Sequence, residues 1–240
     1  DAEDAAIKFY YYLSEILDGE LSKVTALEYF GYNAQKYLKN KDYFFKNEND
    51  VGIYLQIPLY DKSIEQGCEQ WLQILSKSDC NIEMDKIFVL NDKKSWDLFF
   101  EARHSMPELA FQETKKIDGI SVITDTIVPP ENFKQSLSEI HQVTQEAKIE
   151  YLLFGHLGDC HLHFHLIPTK DQQESAFDVY NKIVKISSNL GGVYSAEHGT
   201  GKRKKADFLS CYGISAANEL KASKLCLDPH MILNRGNIID

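Results

Sequence analysis

The stretch EYLLFGHLGDCHLHFHLIP, residues 150–168, contains two strand-like runs separated by a short turn. EYLLFGH and CHLHFHLIP each have the length and apolar content of a β-strand, and LGD is short enough to return the chain antiparallel. Because successive side chains of a strand point to opposite faces, His161, His163 and His165 project together. The opposite face carries side chains that can pack on helices, namely Cys160, Leu162, Phe164 and Leu166. The stretch therefore predicts a β-hairpin with one apolar face and one face lined by imidazoles.

The rest of the chain alternates between strand-like and helix-like segments, without an internal repeat or a low-complexity linker. Further strands are predicted at VTALEYFGY, VGIYLQIPLY, KIFVL and ISVITDTIVPP. Helices are predicted at the N-terminus, in YNAQKYLKN, SWDLFFEARHSM and ENFKQSLSEIHQVTQEA, and at about 62–78, 171–190 and 215–226. We therefore expect one α+β domain over residues 1–240, with a largely antiparallel, ferredoxin-like sheet and helices packed chiefly on one face.

Charge and composition argue against several classes of protein. A net charge of −10 and a pI of about 5.3 disfavour a nucleic-acid partner, which requires a basic face. No apolar run approaches the roughly 18–20 residues of a membrane helix, and the acidic N-terminus does not resemble a secretory signal. Five cysteines without a CxxC pair favour a reducing compartment over a disulfide framework. A cytoplasmic protein is expected, and the lack of an initiator Met indicates a fragment or a processed product.

Four of the eight histidines lie within residues 156–165, which is compatible with a metal site, an acid–base site or a solvent-facing strand. Neutral imidazole is the commonest metal ligand, and Zn, Fe and Mn all accept it. Glu197 and His198, in the segment SAEHGTG, are candidates to complete such a site because the flanking glycines allow the backbone to approach a ligand closely. An exposed loop would have the same composition, so both interpretations stay open at this point.

Other catalytic motifs are incomplete or missing. GTGK (199–202) lacks the first glycine of a phosphate-binding loop, since Ala196 stands in its place. The sequence also has no HExxH helix and no GxSxG turn. KRKK (202–205) is typical of a solvated helix start, although it could also attract an anionic substrate.

Three segments together resemble the C-terminal domain of FAD-linked oxidases, the group that holds D-lactate and D-2-hydroxyglutarate dehydrogenases and the glycolate oxidase subunit. GHLGDCHLHFH (155–165) resembles the family pattern GHxGDGNxHxN, and EHGTGKRK (197–204) matches EHGxGxxK. LDPHMILNRGN (227–237) resembles LDPxxxLNPGK. Weaker similarity lies upstream in TALEYF, LFFEAR and TDTIVPPENF, so the resemblance covers most of the chain.

The resemblance implies a cap-like α+β domain that encloses a 2-hydroxy-acid substrate, such as D-lactate, against a separate N-terminal flavin domain or subunit. It also implies FAD, bound mainly outside this chain, and a divalent metal (Zn, Fe or Mn). The implied roles are metal ligation by His156, His163 and Glu197, general-base catalysis by His198, substrate-carboxylate binding by Arg103, and flavin contact by Asn234. In this scheme the metal acidifies the substrate hydroxyl, His198 takes its proton and hydride passes to the flavin. The isolated domain is expected to be inactive.

The sequence departs from the family pattern at several positions. Cys160 replaces a glycine, so the backbone there is expected to turn less freely. His161 and His165 replace asparagines, and we expect His165 to line the substrate pocket. Arg235 and Asn237 replace the proline and lysine of the last pattern, which weakens the expected flavin contact.

Two other functions are compatible with the same residues. One is a metal-dependent hydrolase that uses His156, His163 and Glu197 with a metal-bound water. The other is a non-catalytic, partner-binding domain, which the departures from the pattern would explain. The sequence leaves open the particular 2-hydroxy acid, the metal, the electron acceptor and the oligomeric state, and the full protein could associate peripherally with a membrane.

Overall fold

The computed structural model describes residues 2–80 and 82–239 of the chain. Within those residues one five-stranded sheet has the strand order β2-β1-β4-β5-β3, and every neighbouring pair is antiparallel. The strands are β1 (Ala26–Phe30), β2 (Gly52–Gln56), β3 (Val122–Ile123), β4 (Glu150–His156) and β5 (His161–Ile167). The expected α+β architecture with an antiparallel sheet is therefore confirmed.

Helices occupy most of the remaining chain. In the described residues they are α1 (Ala2–Ile16), α2 (Lys41–Phe44), α3 (Ile64–Lys77), α4 (Lys93–Lys116), α5 (Phe133–Glu146), α6 (Gln173–Asn189) and α7 (Lys205–Leu227). Helix α3 begins with a capping box, in which Ser63 accepts from the Gln66 amide and the Gln66 side chain accepts from the Ser63 amide. Within the same residues, no helix combines the length and the apolar character that crossing a bilayer requires.

The sheet packs against helices on both faces. Helices α1, α5 and α6 contribute Phe9, Phe133 and Ile183 to a core that also holds Phe164 of β5, and α3 packs at the edge of this core. The opposite face is partly covered by α4, whose Met106 packs in a second core. Most of the helical packing is therefore on one face, as expected, and α4 is the long helix on the face with the histidines.

The β4–β5 hairpin has the expected register. Its pairs run from Glu150 opposite Ile167 to His156 opposite His161, and LGD forms a single 3₁₀ turn between the strands. Gly155 has a φ of 146°, and a Cβ there would lie 2.6 Å from the His161 carbonyl oxygen, so this position requires glycine. Cys160 closes the turn in the left-handed conformation, with a φ of 55° and a ψ of 31°. Cys160 thus occupies a left-handed turn position at which glycine is the usual residue.

Three local predictions are wrong. KIFVL (86–90) forms no strand, and the sheet ends at β2. In ISVITDTIVPP only Val122–Ile123 pairs as a strand, because Thr124 uses its side-chain oxygen to accept from the Phe164 amide, and the following residues leave the ladder. YNAQKYLKN forms a 3₁₀ turn (Ala34–Tyr37) instead of a helix.

Helix α7 begins earlier than predicted and is kinked. Gly213 has a φ of 75° and a ψ of 179°, so two helical segments meet there. Phe208 and Ala217 pack on Val184 of α6 rather than on the sheet.

Candidate functional site

The β4–β5 hairpin brings three imidazoles together on the face that it shares with α4. His156 and His161 are direct partners across the two strands, with ring centroids 5.6 Å apart. His163 lies two residues along β5, 4.6 Å from the His161 ring and 6.1 Å from the His156 ring. The alternation predicted from the sequence is therefore present, and His161 lies next to both predicted ligands.

Glu197 reaches these histidines from the segment between α6 and α7. Its carboxylate oxygens lie 3.4 Å from Nε2 of His156 and 3.2 Å from Nε2 of His163. The segment is held beside the sheet by a bridge between Ile127 and Val193. Gly192 permits this approach, because a Cβ there would lie 2.1 Å from the Ile127 carbonyl oxygen. The three residues predicted as metal ligands are thus brought together from distant parts of the sequence.

Hydrogen bonds orient the two predicted histidine ligands. Nδ1 of His156 lies 2.7 Å from Oε1 of Glu28, and Nδ1 of His163 lies 3.0 Å from the carbonyl oxygen of Thr124. A carbonyl oxygen only accepts, so in neutral His163 the proton is on Nδ1 and the lone pair of Nε2 faces Glu197. Metal-binding histidines are commonly held in this way by an acceptor on the second nitrogen.

The donor atoms fit a divalent cation. An unprotonated Nε2 and a carboxylate oxygen 3.2 Å apart repel each other unless a proton or a cation lies between them. Two imidazoles and one carboxylate form a familiar ligand set for a catalytic metal with open coordination positions. Within the described residues, ligand atoms of His156, His161, His163 and Glu197 all lie within 4.8 Å of one another.

The surroundings of His156 and His163 shift their pKa values in opposite directions. The hydrogen bond to Glu28 raises the pKa of His156 despite its partial burial. Burial lowers the pKa of His163, and the neighbouring His161 and His198 lower it further. Burial alone would raise the pKa of Glu28, but hydrogen bonds from His156 and Arg103 outweigh it and hold that pKa below its usual value. His163 therefore favours the neutral form that binds a metal.

His198, the predicted base, is the most accessible imidazole of this group, with 39% of its side chain exposed. Its ring stacks on that of His163, with centroids 5.0 Å apart and an interplanar angle of 7°. Its Nε2 lies 3.5 Å from Glu197, and its Nδ1 lies 3.8 Å from Asp125. This position, beside the candidate ligands and open to solvent, suits an acid–base residue.

Asp125 organises the loop of residues 195–201, which carries Glu197 and His198. The Asp125 side chain is fully buried. Its Oδ1 accepts from Nε2 of His161 at 3.1 Å and from the Glu197 amide at 3.1 Å. Its Oδ2 accepts from the His198 amide at 3.0 Å, and from Ser195 and Lys204, each at 2.7 Å. Although burial opposes ionisation, these donors hold the pKa of Asp125 far below its usual range.

Asp125, Glu28 and Thr124 are site residues that were not predicted from the sequence. Asp125 lies in TDTIVPPENF and Glu28 in TALEYF, the two weakly similar segments, and that similarity was the available signal. Lys204 belongs to KRKK, for which a solvated helix start was expected, yet only 14% of its side chain is exposed. That interpretation is wrong for Lys204.

Arg103, the predicted carboxylate-binding residue, extends from α4 towards the same face. Its Nη2 and Nε lie 2.7 and 3.2 Å from a single oxygen of Glu28. Glu28 therefore links Arg103 to His156, since its other oxygen contacts that imidazole. Substrate binding by Arg103 stays a prediction.

The other two predicted site residues lie at the periphery. His165 is 2% exposed, and its Nε2 contacts Ser121 at 2.9 Å while its Nδ1 is buried without a partner in the described residues. Asn234 lies in the C-terminal turn, with a φ of 46°. That turn reaches the 195–201 loop through a hydrogen bond from the Ile238 amide to the Gly201 carbonyl oxygen. The proposed substrate contact of His165 and flavin contact of Asn234 stay predictions.

Sequence comparison finds relatives that are named D-lactate dehydrogenase or D-2-hydroxyglutarate dehydrogenase. D-lactate dehydrogenase from Archaeoglobus fulgidus is 26% identical over 153 residues, which cover 64% of this chain and 33% of the relative. D-lactate dehydrogenase from Anaerostipes hadrus is 26% identical over 200 residues, covering 79% of this chain and 40% of the relative. D-2-hydroxyglutarate dehydrogenase from Haemophilus influenzae is 29% identical over 201 residues, which cover 80% of this chain and 18% of the relative. The chain thus spans less than half the length of each of these relatives.

A solved structure and a family model agree on the fold. The 4-ethylphenol oxidase from Gulosibacter chungangensis superimposes with a TM-score of 0.59 over 98% of this chain and 50% of that chain. At 12% identity this likeness concerns the fold alone. The model of the family described as FAD linked oxidases, C-terminal domain, matches residues 20–238. Because this match spans nearly the whole chain, the protein belongs to the C-terminal domain family of FAD-linked oxidases.

Proposed function

We propose that this chain forms the substrate- and metal-binding side of an FAD-dependent dehydrogenase that oxidises a D-lactate-like 2-hydroxy acid to the 2-oxo acid. The observation that carries the proposal is the convergence of His156, His163 and Glu197, with both Nε2 atoms directed at the carboxylate. The names of the related dehydrogenases supply the substrate class.

His156, His163 and Glu197 would hold the divalent ion. When bound, such an ion would lower the pKa of a coordinated hydroxyl group, and FAD would accept the hydride. Glu28 and the Thr124 carbonyl accept from Nδ1 of the two histidines, so both Nε2 atoms are directed towards Glu197 and the ion.

His198 would remove the hydroxyl proton of the substrate. Its ring stacks on His163, so a substrate held at the candidate ligands lies beside this base. Nδ1 of His198 lies 3.8 Å from Asp125, so Nε2 is the nitrogen on the side of Glu197 and the candidate ligands. His198 is therefore suited by position to act as the base.

Arg103 would bind the substrate carboxylate. The hydroxyl and carboxylate of a 2-hydroxy acid are on adjacent carbons, so their binding groups must lie close together. Glu28 keeps Arg103 close to the candidate ligand His156, because one of its oxygens contacts Arg103 and the other contacts His156. A guanidinium held in this way can bind a carboxylate with little loss of side-chain freedom.

FAD binding would depend mainly on a flavin domain or subunit outside residues 1–240, with Asn234 near the cofactor. Membership of the FAD-linked oxidase family favours this dehydrogenase over a metal-dependent hydrolase with the same donor set. The electron acceptor, the cytoplasmic location and any peripheral membrane association belong to the same proposal and concern the whole protein.

The test uses the chain together with its flavin partner, 2-hydroxy acids and an artificial electron acceptor. We expect about one divalent ion per chain, and His163→Ala should lose this ion and lower kcat/KM by at least about 100-fold. His104→Ala, on the exposed side of α4, is the matched control and should retain both. Wild-type protein that contains no divalent ion, or a His163→Ala enzyme with full turnover, would contradict the proposal. Lack of turnover by metal-loaded wild type would favour the partner-binding alternative.

A further inference from the structure

We propose that His161 is a fourth protein ligand of this metal and binds it through Nδ1, an inference that rests on the proposed metal site. His161 is the imidazole of the β5 face that lies between the two predicted ligands in sequence and was not itself predicted as a ligand. His161 lies beside the predicted ligands and is oriented by Asp125.

His161 lies within the group of candidate ligands. Its side chain is almost fully buried between the rings of His156 and His163, with centroids 5.6 and 4.6 Å away. One of its ring nitrogens is within 4.8 Å of the ligand atoms of His156, His163 and Glu197. His161 is therefore close enough to share a cation with the three candidate ligands.

Asp125 determines which nitrogen of His161 remains available. Oδ1 of Asp125 lies 3.1 Å from Nε2 of His161, and an ionised carboxylate only accepts hydrogen bonds. Nε2 therefore carries the proton, and the lone pair of neutral His161 is on Nδ1. An imidazole that donates one N–H to a carboxylate and offers the other nitrogen is the usual form of a metal-binding histidine.

Asp125 itself is unsuited to bind the metal, although it lies near His163, Glu197 and His198. Both of its oxygens already accept hydrogen bonds, two at Oδ1 and three at Oδ2. Ligation would break contacts with buried donors, including Lys204, and leave those donors without partners. Asp125 is thus a positioning residue that orients His161 and holds the loop with Glu197.

A fourth protein ligand restricts the kind of ion that supports the reaction. Three imidazoles and a carboxylate would complete the tetrahedral shell that Zn²⁺ prefers. With an ion that accepts six ligands, such as Mn²⁺ or Fe²⁺, the same four residues would leave room for the hydroxyl and carboxylate oxygens of a 2-hydroxy acid. The site should therefore support turnover better with a six-coordinate ion than with zinc.

The test counts imidazole ligands on the bound metal and does not depend on activity. Extended X-ray absorption fine structure of the Mn²⁺-loaded protein should show three imidazoles in the wild type and two in His161→Gln. Glutamine is long enough to place its amide NH₂ near the position of Nε2 and donate to Asp125, so this variant keeps the contact that a purely structural role would need. The Mn²⁺ affinity of His161→Gln, measured by competition with a chelator, should fall at least about tenfold.

His104→Gln is the matched control and should bind Mn²⁺ like the wild type. Two imidazoles in the wild type, with the affinity of His161→Gln within about twofold of it, would overturn the inference and leave the His156–His163–Glu197 site intact. Loss of metal in His163→Ala would verify that site independently. A wild type that binds no Mn²⁺, Fe²⁺ or Zn²⁺ would overturn the proposed site and the inference together.

Discussion

Replacing Lys204 with methionine should destabilise the protein far more than the same change at a neighbouring lysine. Nζ of Lys204 lies 2.7 Å from Oδ2 of Asp125 and 2.9 Å from the hydroxyl of Ser195. Asp125 is fully buried and Lys204 is 14% exposed, so solvent hardly screens the ion pair. Methionine has a similar length and retains the apolar contacts, so the substitution removes chiefly the charge and the hydrogen bonds.

The expected loss in the free energy of unfolding depends on the hydrogen bonds that Asp125 retains in the variant. Removing one partner of a buried ion pair commonly costs about 3–5 kcal/mol, because the remaining charge is left without compensation. Here Asp125 retains His161, Ser195 and the amides of Glu197 and His198. We therefore expect a loss of about 2–3 kcal/mol in the free energy of unfolding, or about 5–10 °C in Tm for a chain of this size.

Urea denaturation followed by far-UV circular dichroism measures this loss. Lys202→Met is the matched control, because Lys202 is an exposed residue of the same basic run. That variant should change the free energy of unfolding by less than about 0.5 kcal/mol. Equal, small effects of the two substitutions would refute the conclusion that Lys204 compensates a buried charge.

Three further predictions concern the hairpin and its surroundings. Because Cys160 has a left-handed backbone, Cys160→Gly should be about 1 kcal/mol more stable than Cys160→Ala in urea titrations, the reverse of the usual order, and the usual order would contradict the described turn. Burial lowers the pKa of His165 to about 4, so between about pH 6.5 and pH 4 this histidine binds a proton in the unfolded chain but not in the folded chain. The free energy of unfolding should therefore fall by about 3 kcal/mol as the pH is lowered from 6.5 to 4. His165→Asn should flatten this part of the pH–stability curve, and an unchanged curve would show that other groups cause the loss. Glu28→Gln removes the anionic acceptor of His156 and should weaken Mn²⁺ binding about tenfold in chelator competition, whereas unchanged affinity would show that Glu28 does not support the ligand.

Local patterns predicted the parts of the fold that depend on short-range geometry. The β4–β5 hairpin follows from side-chain alternation and a short turn, so its register and the common face of His161 and His163 were accessible from the sequence. KIFVL, in contrast, forms no strand. A short apolar run has suitable side chains for a strand, but pairing also requires a partner edge, which depends on tertiary structure.

The candidate site was predictable only where a motif accompanied the residues. Glu197 and His198 were identified through EHGTG, whereas Asp125 stands in a segment that reads as an ordinary strand. Its role depends on the bridge between Ile127 and Val193, which brings a distant loop to its carboxylate. Hydrophobic periodicity reports which face of a segment is buried, but it does not report which buried polar groups meet. Lys204 was misinterpreted for the same reason.

The origin of the metal-facing groups also bears on how the protein folds. His156, His161 and His163 come from one hairpin, whose short turn closes at a low entropic cost, whereas Glu197 is separated from them in the chain by the whole of α6. A cation bound to both parts would act as a crosslink between the hairpin and the 195–201 loop. At a free concentration of about 100 times its Kd, such an ion would add about 2.7 kcal/mol to the stability of the docked form. Since His198 lies in that loop, loss of the ion would loosen the base together with the ligand, so that metal occupancy and alignment of the base would rise and fall as one equilibrium.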